Sequence, residues 1–359
     1  MPCYPGATIF PLGDGTPMDW TEFLVSNDIL DDAEALRRRI DEDGYLFFRQ
    51  LQDPGKLLDL RHEMLSVMQE GGWLVAGTDP SDGIANVDAR CTEGDPEYTD
   101  VYHEVYKLQS FHDSAHWPEV LDVIEKIVGR PVMPQPQKVA RLWFPKYTDH
   151  TTPIHQDFVH FQGSVDNLTC WTPVGDCPSK LGGLAILAGS HKVQRVLEHH
   201  FSLGAGSLHV DPAEHEELEE EWLSTNYQVG DTLIFPALTI HMALPNVTED
   251  RLRVSLDNRY QAVDDPIAEH MLEPHLSNFS TFDWEHVYRD WASDELKYYW
   301  KQEQLTVIPR DFSFSDQGFD EAIEMARAGN PEARHHLERF VRRAPDSPEG
   351  QRAARLLND

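Results

Sequence analysis

Arg251-Leu252-Arg253-Val254-Ser255-Leu256-Asp257-Asn258-Arg259-Tyr260 alternates polar and apolar side chains, the period of a strand with one face turned to a core. It closes a series of five short runs after Pro131, over 138–144, 168–174, 184–187, 232–235 and 253–260. Gly, Pro, Asp and Asn separate the runs. That texture predicts an antiparallel β sandwich or barrel rather than βαβ units. Helices flank it on the N-terminal side. Asp31-Asp32-Ala33-Glu34 caps a helix carrying Ala35, Leu36 and Ile40, and 44–48 reads as a short strand. Asp53-Pro54 opens a second helix with Leu57, Leu58, Leu60, Met64 and Leu65 on its apolar side. A further helix over 117–128 carries Val120, Leu121, Ile124, Ile127 and Val128, and Gly129-Arg130-Pro131 stops it.

Three stretches fall outside this pattern. Residues 71–100 are rich in Gly, Asp, Pro and Thr and read as a long surface or lid loop. Residues 214–222 read as a solvated, glutamate-rich helix. From Phe319 onward three helical faces follow: Phe319, Ala322, Ile323 and Ala326, then Leu337, Phe340 and Val341, then Ala353, Leu356 and Leu357. The arginines of this tail (Arg334, Arg339, Arg342, Arg343, Arg352, Arg355) are expected to pack against an acidic body. The expected division is a β domain with N-terminal helices over 1–310 and a helical extension over 311–359.

The whole chain has 359 residues and a formal charge of −32, with 62 Asp and Glu against 30 Lys and Arg. Hydrophobic residues at 40% are too many for a disordered chain. The charge repels a phosphate backbone and an anionic bilayer, so neither nucleic acid nor membrane is an expected partner. No run of 18 apolar residues occurs, and residues 1–14 lack a basic segment followed by an apolar one. Four cysteines (Cys3, Cys91, Cys170, Cys177) form neither a disulfide framework nor a CxxC pair. A cytoplasmic location is the default that these features leave.

Pro153-Ile154-His155-Gln156-Asp157 places an imidazole and a carboxylate two residues apart, on one side of an extended strand. A third ligand must come from elsewhere. His241 ends the run Gly230-Asp231-Thr232-Leu233-Ile234-Phe235 through Thr239-Ile240, 84 residues after Asp157. Two histidines and a carboxylate with open positions beside them suit non-haem Fe(II) oxygenases. With 18 histidines in the chain, a chance HxD is also to be weighed. Arg253 and Ser255 share a face of the last strand, an arginine fork with a hydroxyl beside it, suited to a carboxylate. Arg251 shares that face by alternation and is the rival. A surface salt bridge is the plain alternative for both. Gln137 and Arg141 alternate on the strand before the HxD, where either can line a pocket. His191 reads as structural, and the pairs His199-His200 and His335-His336 read as surface.

Taken together these stretches resemble the phytanoyl-CoA dioxygenase-like Fe(II)/2-oxoglutarate oxygenases, over roughly Asp43 to Tyr260. The likeness is densest in His155-Gln156-Asp157, Cys170-Trp171-Thr172-Pro173, Gly182-Gly183-Leu184-Ala185-Ile186-Leu187-Ala188-Gly189-Ser190-His191-Lys192, and Gly230-Asp231 through His241 to Tyr260. The resemblance implies a double-stranded β-helix, a cupin-like jelly roll, with His155, Asp157 and His241 on Fe(II) and Arg253 on the far carboxylate of 2-oxoglutarate. Tyr260, seven residues past Arg253, matches the family's aromatic and favours Arg253 over Arg251. Trp171 looks like the family tryptophan beside the cosubstrate, with a core aromatic as the alternative. Lys107-Leu108-Gln109-Ser110-Phe111 is similar to a segment whose lysine reaches the cosubstrate from outside the barrel, a surface lysine being the alternative.

The implied activity consumes O2 and 2-oxoglutarate, releases succinate and CO2, and hydroxylates a C–H bond of a small molecule. Related halogenases lack the carboxylate that Asp157 supplies, so hydroxylation is favoured over halogenation, while desaturation and ring formation stay open. So do a non-redox jelly-roll binding protein and a cupin-like isomerase or hydrolase. The intact His-Asp-His set weighs against the binder, and the Arg253/Ser255 pair against the isomerase or hydrolase.

Overall fold

A computed structural model describes residues 10–11, 17–18, 20–146, 150–218, 221–278 and 280–358. Cys3 and residues 1–9 and 12–14 of the N-terminal stretch lie outside them. The other three cysteines are buried and unpaired. No helix among the described residues is long and apolar enough to cross a membrane.

Aspartate caps start the first two helices. In α1 (Ala33–Asp43) the Asp32 carboxylate accepts the amides of Glu34 and Ala35, and Gly44 ends the helix at φ +78°. In α2 (Pro54–Glu70) the Asp53 carboxylate accepts the amides of Gly55 and Lys56. Leu57, Leu60, Met64 and Leu65 are buried as expected, whereas Leu58 is 48% exposed. It sits next to Leu57 in sequence but beyond the edge of the apolar stripe.

The 71–100 stretch is no surface loop throughout. Trp73, Leu74, Ala85 and Cys91 are buried in the main core, and α3 (Pro96–Tyr106) begins inside it. Tyr98, Val101, Tyr102, Val105 and Tyr106 are spaced i, i+3, i+4, i+7, i+8, so one helical face carries them all inward. Helix α4 (Pro118–Val128) buries Val120, Val123, Ile124 and Ile127.

The strands of the two main sheets are β1 (Thr21–Glu22), β2 (Leu46–Phe48), β3 (Val132–Pro134), β4 (Val139–Trp143), β5 (His155–Gln156), β6 (Leu168–Pro173), β7 (Leu184–Leu187), β8 (Trp222–Ser224), β9 (Thr232–Pro236), β10 (Ile240–Ala243) and β11 (Arg253–Ala262). They form two sheets. The smaller has the order β1-β8-β7-β10-β5, and the larger β2-β9-β6-β11-β3, with β4 also paired to β11. Apart from the parallel pair β1–β8, the pairs are antiparallel. Phe47, Trp171, Leu233 and Phe235 of the larger sheet meet Leu184, Ile186 and Leu223 of the smaller in one cluster, which is the barrel interior. Alternation turns Leu46, Phe48, Cys170 and Ile234 outward, where α1 and α4 cover them. The architecture is therefore the expected jelly roll with flanking helices.

The glutamate-rich helix over 214–222 is absent from the described part of that stretch. A short 3-10 turn, Pro212–Glu214, precedes a turn, and Trp222 begins β8. Clustered glutamates repel at helical spacing, and no apolar stripe offsets that cost. The tail forms α5 (Ser313–Arg327), α6 (Pro331–Arg343) and α7 (Pro348–Asn358), closed around Phe319, Ala322, Ile323, Ala333, Leu337 and Ala353 with Phe201 from the body. Arg339 and Arg342 reach the body at Asp95 and Glu97, 3.0 and 2.7 Å away. Arg334 and Arg352 instead pair within the tail, with Glu338 and Asp320.

Candidate metal centre and cosubstrate pocket

Strands β5 and β10 are neighbours in the smaller sheet, in a register that sets His241 directly opposite His155. Their ring centroids lie 4.2 Å apart. Asp157 does not continue the strand. It takes helical angles (φ −60°, ψ −29°) at the head of the one-turn helix Phe158–Phe161, and its carboxylate still swings back to the histidines. Oδ1 lies 3.3 Å from His155 Nε2 and 3.6 Å from His241 Nε2. One ligand atom from each residue falls within 4.8 Å of the others, and all three residues are buried. Three such atoms can hold a metal ion, and the donor set, two imidazoles and one carboxylate, fits Fe(II).

The protonation pattern is set by the backbone. His155 Nδ1 is 2.8 Å from the Pro153 carbonyl and His241 Nδ1 is 2.9 Å from that of Thr239. A carbonyl only accepts, so each Nδ1 carries the proton and each Nε2 presents its lone pair to the centre. Burial draws the His241 imidazole down to about 4, which keeps it neutral and able to ligate at neutral pH.

Asp157 is held by residues the HxD pattern does not announce. Its Oδ2 accepts from Thr169 Oγ1 at 2.5 Å and from the Arg259 guanidinium at 3.1 Å. Arg259 is buried, lies 3.5 Å from the Phe161 ring centroid, and also donates to Asp257 at 3.0 Å. Burial alone would raise the Asp157 carboxyl, and Arg259, with the two histidines, outweighs it and holds the group well below the usual carboxylate range. The carboxylate therefore stays ionised, and Oδ1, which also accepts from Arg259 at 3.2 Å, is the oxygen turned to the two histidines. The alternation of β11 was the available signal: Arg253, Ser255, Asp257 and Arg259 lie on one face of it.

At the other end of that face, Arg253 is 2% exposed. It donates to Ser255 Oγ at 2.7 Å and stacks 5.5 Å from Trp143, and its Nε is buried with no hydrogen-bond partner among the described residues. Burial lowers the guanidinium to about 10, still a cation at neutral pH. A buried cation with a free donor and a hydroxyl beside it fits the far carboxylate of a dicarboxylic acid. Trp171 faces the same interior, directly across from Asp257 in register, with its ring 4.7 Å from Tyr227. The structure thus brings His155, Asp157, His241, Arg253, Ser255 and Trp171 into one barrel.

Other expectations separate. Lys107 caps the C-terminal end of α3, with Nζ 2.5 Å from Glu104, and lines an outer groove with Glu70, His103 and Trp291. The tyrosines of α3 take the inward face, so Lys107 points away from the barrel. Arg251 precedes the strand, donates to the Asp82 carbonyl, and is 46% exposed, which removes it as the rival. Tyr260 lies on the outer face, its hydroxyl donating to the Ala115 carbonyl at 2.9 Å. An odd spacing of seven turns it away from Arg253, so it supports the sheet and not the pocket.

His199, expected at the surface, is buried, and its Nε2 accepts the Gln156 amide at 3.2 Å, bracing the HxD strand. His191 contacts the Asp41 carbonyl at 3.0 Å, in keeping with a structural role.

A cavity of about 130 Å³ adjoins His155, lined by Glu93, Gln137, Arg141, His160, His270 and Arg310 among others. Arg141 pairs with Glu93 at 2.6 Å and lies 3.5 Å from Asp257. Gly206 has φ +86° and sits against the His160 imidazole, where a Cβ would come within 2.8 Å, so the wall closes there only with glycine.

The Phytanoyl-CoA dioxygenase (PhyH) family model matches residues 40–254. Two curated relatives carry the name 1-deoxypentalenic acid 11-beta-hydroxylase. That of Streptomyces arenae is 30% identical over 253 residues, covering 67% of this chain and 86% of the relative. That of Streptomyces exfoliatus is 29% identical over 251 residues, covering 67% and 85%. Among solved structures, the epimerase SnoN in complex with Fe3+, alpha ketoglutarate and nogalamycin RO is 18% identical, with a TM-score of 0.46 and coverage of 66% of this chain and 86% of that one. Because the family match spans more than half of the chain and encloses His155, Asp157, His241 and Arg253, this protein belongs to the phytanoyl-CoA dioxygenase (PhyH) family of Fe(II)- and 2-oxoglutarate-dependent oxygenases.

Proposed function

We propose that this enzyme hydroxylates a C–H bond of a small-molecule metabolite, with His155, Asp157 and His241 as the iron ligands. One observation carries the reading: two Nε2 lone pairs and one carboxylate oxygen converge in the same barrel as the buried Arg253 guanidinium, which has no ion-pair partner among the described residues. Iron with 2-oxoglutarate and O2 supplies oxidative decarboxylation to succinate and CO2 coupled to oxygen insertion into C–H. The chain's own residues do the rest. Arg253 and Ser255 grip the far carboxylate and thereby fix the orientation of the keto-acid end. Arg259 and Thr169 keep Asp157 ionised and turned to the metal. Trp171, Phe235 and Tyr227 fill the interior and exclude water.

The curated relatives are named hydroxylases, which supports insertion rather than ring formation. A chain at −32 with a cavity of about 130 Å³ at the ligands favours a small metabolite over a CoA thioester. Anaerobic addition of Fe(II) and 2-oxoglutarate should give a weak visible charge-transfer band, and His241→Ala should lose both the band and succinate formation. Succinate formation near the wild-type rate in His241→Ala removes the ligand set from consideration.

A further inference from the structure

Two donors in the barrel are buried and unused, and they are neighbours. Arg253 of β11 and Trp143 of β4 stand directly opposite each other in register, so their side chains leave the larger sheet on one face. The guanidinium lies 5.5 Å from the indole ring centroid. Arg253 Nε and Trp143 Nε1 both lack a hydrogen-bond partner among the described residues, and Trp143 is only 8% exposed. The far carboxylate of 2-oxoglutarate accounts for the first donor. The second has no partner assigned.

An indole N–H can only donate, and leaving it unpaired inside a protein is costly. Both residues line one small cavity of about 10 Å³, whose wall Thr151, Leu244 and Asn246 help to complete. Leu244 lies one residue past the end of β10, the strand that carries His241. No carboxylate lines this cavity. Asn246 is already bonded, its Nδ2 donating to the Arg251 carbonyl at 2.7 Å and its Oδ1 accepting from the Thr248 hydroxyl at 2.6 Å. The two buried polar atoms left unbonded there are thus both donors, one of them on a cation. An anionic group with two acceptor oxygens satisfies both at once, which is the chemistry of a carboxylate.

We propose that Trp143 is a further cosubstrate-binding residue, its indole N–H donating to the same far carboxylate of 2-oxoglutarate that Arg253 and Ser255 hold. Its ring face meanwhile steadies the guanidinium by cation–π attraction. Trp143 then helps the site prefer 2-oxoglutarate to 2-oxo acids that end in an apolar group. This rests on the oxygenase reading above and adds a residue to its cosubstrate site. A water molecule is the competing occupant, and it would take the indole N–H without creating that preference.

The test uses the full chain loaded with Fe(II) under argon and reads binding by calorimetry. The probes are 2-oxoglutarate and 2-oxopentanoate, which has the same chain length and a methyl end in place of the far carboxylate. Trp143→Phe should weaken 2-oxoglutarate roughly tenfold to a hundredfold, the range of a hydrogen bond to a charged group, and leave 2-oxopentanoate within about twofold. Where Trp143→Phe does not fold, 3-benzothienylalanine at the same position, with the shape of the indole and a sulfur for its N–H, takes its place. A second readout is the indole N–H resonances of the Zn(II)-loaded protein, which has nine tryptophans. The resonance missing from the Trp143 variant should move downfield when 2-oxoglutarate is added to the wild type, and stay in place with 2-oxopentanoate. Equal weakening of both probes, or a full preference for 2-oxoglutarate in the variant, overturns the proposal and leaves Arg253 in place. If 2-oxopentanoate binds neither protein, the resonance decides, and one unmoved by 2-oxoglutarate overturns the proposal. A wild type with neither the visible band nor 2-oxoglutarate binding sinks the oxygenase reading itself.

Discussion

Arg253 and Arg259 stand six residues apart on one face of β11, both buried, in opposite electrostatic surroundings. Arg259 meets two carboxylates, Asp157 and Asp257, at 3.0 to 3.2 Å. Among the described residues Arg253 donates only to a serine hydroxyl, lies over the Trp143 ring, and keeps its buried Nε without a hydrogen-bond partner. Burying a guanidinium is costly without a partner; Arg259 has its anion in the fold, and Arg253 is the cation that the proposed cosubstrate carboxylate would pair. The comparison teaches how to tell a structural cation from a ligand-facing one: by the counter-ion, since depth is the same for both.

Removing each cation should therefore fail in a different way. Arg259→Gln leaves the buried Asp157 carboxylate without its cation, while Asp257 keeps Arg141 at 3.5 Å, and should cost about 3–5 kcal/mol of stability in the ligand-free protein. Thermal and denaturant unfolding measure it, and an unchanged midpoint would erase the contrast. Arg253→Ala strands nothing until the cosubstrate binds, so the ligand-free protein should unfold near the wild-type midpoint. Its apparent 2-oxoglutarate constant should instead rise by about 2–5 kcal/mol, roughly 30-fold to several-thousand-fold, with little change in metal affinity. A large stability loss in Arg253→Ala together with normal 2-oxoglutarate binding would show that the two roles are assigned the wrong way round.

A finer probe of the Arg259 end is Thr169→Val, which removes one of the Asp157 hydrogen bonds at similar volume. Metal affinity should drop about 10- to 100-fold, as for other outer-shell partners, with 2-oxoglutarate binding affected only through the metal. Titration with Co(II) reads the first quantity, and no change there would mean that Arg259 alone holds the carboxylate. The smallest effects belong to Arg251→Ala and Lys107→Ala. Both are partly exposed cations with surface partners, and each should move stability and the 2-oxoglutarate constant by less than about 0.5 kcal/mol. A large shift in the 2-oxoglutarate constant for either would mean that the strand register or the α3 placement is misread.

Much of the fold was legible because its signals are local. Asp32 and Asp53 capped their helices, and the 253–260 alternation carried Arg253 and Ser255 to one face. Where local patterns failed, a distant partner decided. Leu58 sat next to a buried neighbour yet outside the stripe. The 71–100 stretch was irregular in sequence but filled a gap in the core with Trp73 and Tyr98. Glutamates over 214–222 suggested a helix that like-charge repulsion does not support. His199 was indistinguishable from its exposed neighbour until Gln156 was seen against it.

The site divides along the same line. The sequence by itself determined the ligand types, the HxD spacing, the strand that carries Arg253, and the expectation of a jelly roll. Each depends on residues a few positions apart, whose relative directions follow from φ and ψ alone. Only the tertiary structure decided that His241 meets His155, 86 positions earlier in the chain, that Arg259 and not Arg253 owns the internal carboxylates, that Lys107 turns outward, and that the C-terminal helices close around Phe201 of the body. Counter-ions and cavity walls are settled by contacts between segments far apart in the chain, and those follow from how whole faces pack rather than from any residue's neighbours in sequence.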